Sequence, residues 1–442
     1  MSSRLINWRL QAIAARGLAM VGSFLQVVVI SRALTLNDAG LVFLLFTLMN
    51  LAATVGRFGT DNLVLRRIAS NQSGHAVEAR WLKAICWAAS SMSGTILFFL
   101  LISGVLPLPT HGLTVLDAAC VGIMTVFYSL SVFAGAVLRG SGVLVAGIWA
   151  ELGIAPWLTS TFVGLQMLTG EATVSTVLGS LLAAGVITAL WALRAARPVV
   201  ATSSNMDWQR GFTFLREHTG SLASLMGTSL LFFALVWVPQ LGLGVVGTGA
   251  QVAQYTAAAR IASLITIFPG IQTSYLGPRF AALAYSNRRQ ELGVQCGRAT
   301  AGAMLAAVPL LMVISAAPEQ LLDLFGARYG NAAVPTLILC IGAYVGLAFG
   351  PVNTLMLAAG LEGTSLILNG LLLAVVAVLT VWGAPTIGVV GVSIVSAAGG
   401  LTYSGLASAL ITRKLRVNPT LMNYFRPAER APGRAPITSD RE

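Results

Sequence analysis

Long apolar runs separated by short polar stretches fill the chain from near residue 10 to near residue 411. Windows of about 20 residues, enough for a helix to cross a hydrocarbon core, mark twelve of them: 10–31, 40–58, 83–105, 113–138, 143–168, 173–194, 218–240, 249–276, 297–317, 334–358, 363–382 and 387–411. These runs are too long and too uniformly apolar for barrel strands, and lipid-facing backbone must satisfy its own hydrogen bonds. Each is therefore expected to be a helix. The fold class read from the pattern is all-α, a polytopic membrane protein with twelve transmembrane helices.

The longest polar interruption in the middle of the chain, Ala195 to His218, divides the runs six and six. The expected organisation is a six-helix lobe over 1–195, a cytoplasmic linker over 196–217, a second six-helix lobe over 218–416 and a disordered cytoplasmic tail over 417–442. The pseudo-twofold relation between lobes rests on span count, since no residue-level repeat relates them. The tail earns its assignment from its richness in proline and charge. An arginine-bearing N-terminus followed by an apolar run resembles a signal peptide, but the run is longer than such a core and carries no small-residue cleavage site. It is read as a retained first span.

Composition agrees. Of 442 residues, 56% are hydrophobic and 10% charged, against about 25% charged in soluble domains, and the mean hydropathy is +0.82. The net charge of +12 would suggest nucleic acid in a soluble protein, but its distribution along the chain gives another reason. With the N-terminus cytoplasmic, all 27 Lys and Arg residues except Arg32, Arg260 and Arg328 fall in cytoplasmic segments or at cytoplasmic helix ends. The positive-inside rule makes this surplus topological. It supports an even helix count, both termini in the cytoplasm, and no nucleic-acid partner.

The four cysteines, Cys86, Cys120, Cys296 and Cys340, are far apart and mostly within apolar runs, and the three histidines are equally scattered. Neither a disulfide framework nor a metal site is expected. The two lysines, Lys83 and Lys414, lie outside any phosphate-loop motif, so no nucleotide-hydrolysing engine and no cofactor are expected.

Polar residues inside the spans are the candidate chemistry. In QYTAAARIASLITIFPG, Gln254 to Gly270, Arg260 stands near mid-span, with Thr256 one turn before it and Ser263 one turn after. A guanidinium at that depth costs about 2.5 kcal/mol or more, so it requires water, a partner or a substrate. In the second span Thr47, Asn50, Thr54, Arg57 and Asp61 recur every three or four residues, which predicts one polar face directed at a bundle interior or a wet cavity. The alternative is that Arg57 and Asp61 simply pair at the cytoplasmic end. Arg9, Arg16 and Ser23 share a face of the first span, and Arg16 either faces the cavity or snorkels to headgroups. Glu151, in the fifth span, is the candidate partner for Arg260 or a proton-binding carboxylate. Three arginines with few acids describe a site for an anion, since Arg matches phosphate oxygens bidentately.

Three segments in order resemble the Wzx-type flippases of bacterial polysaccharide biosynthesis, of the multidrug/oligosaccharidyl-lipid/polysaccharide (MOP) exporter superfamily, which includes the MATE transporters. They are VVVISRALTLNDAGLVFLLFTLMNLAATVGRFGTDNLVLRRIAS, AQYTAAARIASLITIFPGIQTSYLGPRFAAL and PEQLLDLFGARYGNAAVPTLILCIGAYVGLAFGPVNTLMLAAGLEG. The likeness runs from about residue 10 to residue 416. It implies a V-shaped pair of six-helix lobes in the bacterial inner membrane. It further implies flipping of a polyprenyl-diphosphate-linked oligosaccharide from the cytoplasmic to the periplasmic leaflet through a cationic cavity. Candidate partners are membrane lipids, a polysaccharide polymerase and a chain-length regulator, and a monomer is expected. By the resemblance Arg260 follows the Tyr-x-Ala-Ala stretch of Tyr255, Thr256, Ala257 and Ala258, and Arg16 and Arg57 resemble cavity arginines of the first two helices. Many relatives carry an acid in the seventh helix where WVPQLGLG places Pro239 and Gln240, so coupling through that carboxylate is not expected. Two rival readings stand beside this one. A MATE-like exporter of drugs or organic cations predicts a carboxylate-dominated cavity. A membrane enzyme such as a polymerase or ligase predicts a larger loop or a clustered acid/base pair.

Overall fold

A computed structural model describes residues 2–70, 75–106, 113–200, 208–268, 276, 280, 283, 288–358 and 361–424. Among them every regular element is helical. The first ten α-helices are α1 (Ser2–Ala33), α2 (Leu36–Arg57), α3 (Thr60–Ala69), α4 (His75–Ile102), α5 (Val115–Gly140), α6 (Leu144–Ile148), α7 (Ile154–Thr169), α8 (Val174–Ala196), α9 (Trp208–Val246) and α10 (Gly249–Ile265). A π-helical turn, Trp149–Gly153, joins α6 to α7.

Eight helices among the described residues are long and apolar enough to cross a membrane, or nine if the bent pair Thr213–Leu231 and Val236–Val246 counts as one span. The other expected spans have physical reasons for being broken or short. The pair within α9 is bent by 65°, and Pro239 lies inside this helix, where its ring crowds the carbonyl four residues back. The fifth span is α6, the π turn and α7 in sequence. The eighth is α10, 17 residues long, and its expected continuation over 269–275 is outside the described residues. Gly388, at φ 61° and ψ −144°, breaks the 54-residue helix Glu362–Leu415, separating the two runs expected at 363–382 and 387–411. The protein is a multi-pass, all-α membrane protein.

The chain packs as two units. The first comprises Met1–Leu264, Val313–Cys340 and Asn369–Gly399, the second Ile265–Met312, Ile341–Leu368 and Gly400–Glu442. In the first, α5 is the most enclosed of the apolar spans, because small and hydroxylated residues let its neighbours approach closely. A Cβ on Gly122 would lie 2.8 Å from the carbonyl oxygen of Gly94 on α4. Ser129 Oγ donates to Thr125 O at 2.7 Å and to Ala53 O of α2 at 3.3 Å, while Ser93 Oγ of α4 donates to Ala52 O at 2.7 Å. Helices in lipid gain no hydrophobic drive from meeting, so dispersion across small residues and such hydroxyl bonds hold them. Large apolar residues such as Leu168, Met92 and Phe99 stay exposed on the outer faces, as a lipid boundary requires.

The second unit is tied by polar contacts between spans. Tyr403 Oη donates to Asn353 Oδ1 and lies 3.2 Å from Ser365 Oγ. Residues 417–424, placed by composition in a disordered tail, are folded: Val417 is buried, Thr300 Oγ1 donates to Pro419 O at 3.3 Å, and Leu421 N donates to Ala348 O at 3.0 Å. Apolar Val417 and Leu421 precede the charged, proline-rich stretch and supply that anchoring. The rest of the expected tail, 425–442, lies outside the described residues, as do 201–207 of the expected linker. The other end of that linker is helical from Trp208.

Candidate functional site

Two polar sites occupy different levels of the first unit. The upper one is a cleft lined by Gln26, Val27 and Ile30 of α1, Val42, Phe43 and Phe46 of α2, Leu181 of α8, Trp237 and Gln240 of α9, and Thr256 and Arg260 of α10. Helical spacing explains the last pair, since positions four apart share a face. Ala257 and Ala258, between them, are fully buried, and these small residues let α10 pack closely. Thr256 Oγ1 donates to Val252 O at 2.7 Å, so its proton is spent within its own helix while its lone pairs remain. Gln240 Nε2 donates to Phe43 O at 3.2 Å, which fixes the amide and turns its oxygen away from that bond as an acceptor.

Charge gives the cleft its character. Its lining contains one cation, neutral amides, a hydroxyl and aromatic rings, and no acid. Among the described residues no carboxylate pairs with Arg260. The cleft holds about 360 Å³ of empty space including its opening, but the centre of a water-sized sphere can reach only about 20 Å³ of it. That is room for one or two waters. The site is contracted in this conformation and must widen to admit anything the size of a diphosphate.

The lower site is ionic. Arg57 Nε lies 3.2 Å from Asp61 Oδ2, with side chains 12% and 15% exposed, and Arg57 Nη2 donates to Thr54 Oγ1 at 3.1 Å. The polar stripe of the second span therefore does not run along one helix. Helix α2 stops at Arg57, Phe58 and Gly59 take left-handed backbone at φ 48° and 73°, and α3 starts at Thr60. A Cβ on Gly59 would press on the carbonyl oxygen of Leu222, so glycine serves both the turn and the close approach of α9. Upstream, Thr47, Asn50 and Thr54 are buried and donate to Phe43 O, Phe46 O and Asn50 O at 2.8–2.9 Å. Their side chains are bonded back to α2 and enclosed by protein, where the sequence also allowed a wet cavity.

Glu151 completes this level. It forms an ion pair with Arg139, not with Arg260 as the sequence had allowed. Three local features produce the pair. Gly135 and Gly147 bring the last turns of α5 against α6, since a Cβ on Gly147 would lie 2.8 Å from Gly135 O. Ser131 Oγ donates to Ala150 O. The π turn then re-aims Glu151 relative to a regular helix, a device often found where function needs an off-register side chain. Trp157 Nε1 donates to Leu18 O at 3.1 Å and so holds α7 on α1. Helix α1, which carries Arg16, packs along α6 and the π turn that carries Glu151. The level gathers Arg16, Arg57 and Arg139 with Asp61 and Glu151, a net charge of one positive.

The structure thus brings Arg260 and Thr256 into one cleft and Arg16, Arg57, Asp61 and Glu151 into another site. Asn50 lines neither the cleft nor the ion pairs, and Ser263 is exposed, its Oγ donating to Arg260 O at 2.7 Å. Along α1, ten residues separate Arg16 from Gln26, and along α2, eleven separate Phe46 from Arg57. Either spacing puts the two levels roughly 15 Å apart. Sequence reasoning missed Gln26, Trp237 and the role of Arg139. Gln26 carried a signal, being a buried amide three residues beyond Ser23 in an apolar run. Arg139 carried none, because its pairing depends on how α5 and α6 meet.

No family model matches the chain. A probable low-salt glycan biosynthesis flippase, Agl15 of Haloferax volcanii, is 22% identical over 383 residues, covering 85% of this chain and 76% of that protein. Among solved structures, the lipid II flippase MurJ in an inward closed conformation superposes with a TM-score of 0.72 at 9% identity, covering 91% of this chain and 87% of the other. A multidrug resistance MATE family transporter of the MOP superfamily, inward-facing, superposes with a TM-score of 0.66 at 17% identity over 91% of this chain and 94% of the other. The broken spans, the buried polar residues and the agreement over nine tenths of the length lead to one conclusion: the chain has the polytopic all-α fold of the MOP-superfamily transporters.

Proposed function

We propose that the protein flips a polyprenyl-diphosphate-linked oligosaccharide from the cytoplasmic to the periplasmic leaflet of a bacterial inner membrane, with both termini cytoplasmic, for surface polysaccharide assembly. The observation that carries this reading is the Arg260 cleft, a cationic, amide-lined and aromatic-lined site whose lining contains no carboxylate. Such a site attracts phosphate oxygens and repels organic cations. Glutamine, threonine and aromatic side chains suit hydroxyl-rich sugar as well. The glycan-flippase relative from Haloferax volcanii points the same way.

With the N-terminus cytoplasmic, the level of Arg16, Arg57 and Arg139 lies nearer the cytoplasm and that of Arg260 nearer the periplasm. The diphosphate meets the lower level first, where one positive charge exceeds the acids, and passes to Arg260 as the halves 1–195 and 218–416 alternate their access. The prenyl chain stays in lipid. An inside-negative potential favours outward movement of an anion by about 2.3 kcal/mol per charge per 100 mV, so the passage needs no ion site. Glu151, held by Arg139, serves as an electrostatic strut.

Proteoliposomes containing the purified chain test this. A labelled polyprenyl-diphosphate oligosaccharide should cross from one leaflet to the other faster than in protein-free vesicles, and ethidium should not be transported. Ethidium transport with no lipid flipping would establish the drug-exporter reading instead.

A further inference from the structure

A second pocket, outside the cleft and the ionic level, lies between α4, α5 and α8. Its walls carry Arg80 and Lys83 of α4 and Arg197, the residue that follows α8, over a floor that includes Phe133, Ala134 and Leu193. We propose that this pocket holds the phosphate headgroup of an anionic phospholipid from the leaflet around it. The inference is independent of what the protein transports.

Charge comes first. Arg80 and Lys83 are three residues apart and share a face of α4, opposite Arg197, and no acid lines the pocket. Among the described residues neither Lys83 nor Arg197 forms an ion pair. Lys83 and Arg197 across one hollow repel each other, and a phosphate removes that repulsion. Size comes second. The centre of a water-sized sphere can reach about 250 Å³ here, against about 20 Å³ in the Arg260 cleft, so a headgroup enters without rearrangement.

Position argues for a lipid over a free phosphate. The apolar spans Glu78–Ile102 and Val174–Ala196 begin and end at this pocket, which sets the cations at headgroup depth. Trp87, one turn beyond Lys83, and Trp191, within two turns of Arg197, are exposed. They offer acyl chains an apolar surface beside the charged hollow, in keeping with tryptophan at membrane interfaces. Basic pockets between spans on the cytoplasmic side are suited to acidic lipid heads.

The test uses the full chain in detergent, stripped of lipid, and measures affinity by native mass spectrometry for phosphatidylglycerol, phosphatidylcholine and glycerol 3-phosphate. Phosphatidylglycerol should bind more tightly than phosphatidylcholine, and glycerol 3-phosphate should bind weakly. Lys83→Gln with Arg197→Gln should weaken phosphatidylglycerol binding by about fivefold per charge removed. Arg413→Gln with Lys414→Gln, an equal change of net charge elsewhere, should leave it unaltered, and Lys83→Arg should retain it and show that the site tolerates a conservative change. Wild-type affinity for phosphatidylglycerol in the Lys83/Arg197 variant would overturn the proposal. Glycerol 3-phosphate binding as tightly as the lipid would overturn it too, by making the site one for free phosphate.

Discussion

Glu151 and Arg139 pair across the contact between the end of α5 and the π turn of the fifth span. The pair engages the carboxylate that the sequence offered as a partner for Arg260. Its side chains are 23% and 29% exposed, enclosed enough that losing one partner leaves the other costly.

Glu151→Gln should therefore lower stability by about 1–3 kcal/mol, less than the 3–5 kcal/mol of a fully buried pair. Arg139→Gln should do the same, and the double variant should recover much of the loss. Thermal unfolding in detergent measures all three. Additive losses in the double variant would mean that the two side chains stabilise the fold independently.

Close packing of α4 on α5 makes a second prediction. A Cβ on Gly94 has no room beside the Gly122 carbonyl, whereas one on Gly164 meets nothing within 4 Å. Gly94→Ala should destabilise by about 1–3 kcal/mol through forced backbone shifts. Gly164→Ala should be neutral or stabilise by roughly 0.4–1 kcal/mol, because alanine restricts the unfolded chain and suits a helix. The melting temperature should fall in Gly94→Ala and hold or rise in Gly164→Ala.

Residues 417–424 supply a third. Ending the chain before Val417 removes a buried side chain and the bonds to Thr300 and Ala348, and should lower the melting temperature by several degrees. Ending it after Tyr424 should change little, since that truncation keeps Val417 and both bonds. Equal melting temperatures for the two truncations would show that the anchoring contributes nothing.

Gln240 offers a switch of polarity. Gln240→Glu places a carboxylate in the Arg260 cleft and deletes the amide donor to Phe43 O. Flipping of the diphosphate lipid should fall by tenfold or more at neutral pH. It should recover as pH drops through the pKa of the new carboxyl, because protonation removes the charge that competes for Arg260. A uniform loss at every pH would assign the effect to packing.

Much of the fold was legible because lipid makes a strong demand on sequence. Every span must be an apolar run, and the break at Gly388 falls within two residues of the gap expected between two runs. Arg260 and Thr256 were legible as neighbours because the helical period puts them on one face. The end of α2 matched the run expected at 40–58, but the left-handed turn at Phe58 and Gly59 that puts Asp61 on a separate helix was not legible, since a left-handed phenylalanine carries no signal and the regular spacing from Thr47 to Asp61 continued through it. Pairing of Glu151 with Arg139, and convergence of Gln26, Trp237 and Gln240 on the cleft, depend on where separate helices meet. No local period encodes that register.

The central claim is that Arg260 binds the diphosphate, and affinity measures it most directly. In nanodiscs, Arg260→Gln should weaken binding of a polyprenyl-diphosphate oligosaccharide by about tenfold to a hundredfold, the worth of one charged hydrogen-bonding group, with the melting temperature kept. Arg260→Lys should lose less. Wild-type affinity in a folded Arg260→Gln protein would contradict the account.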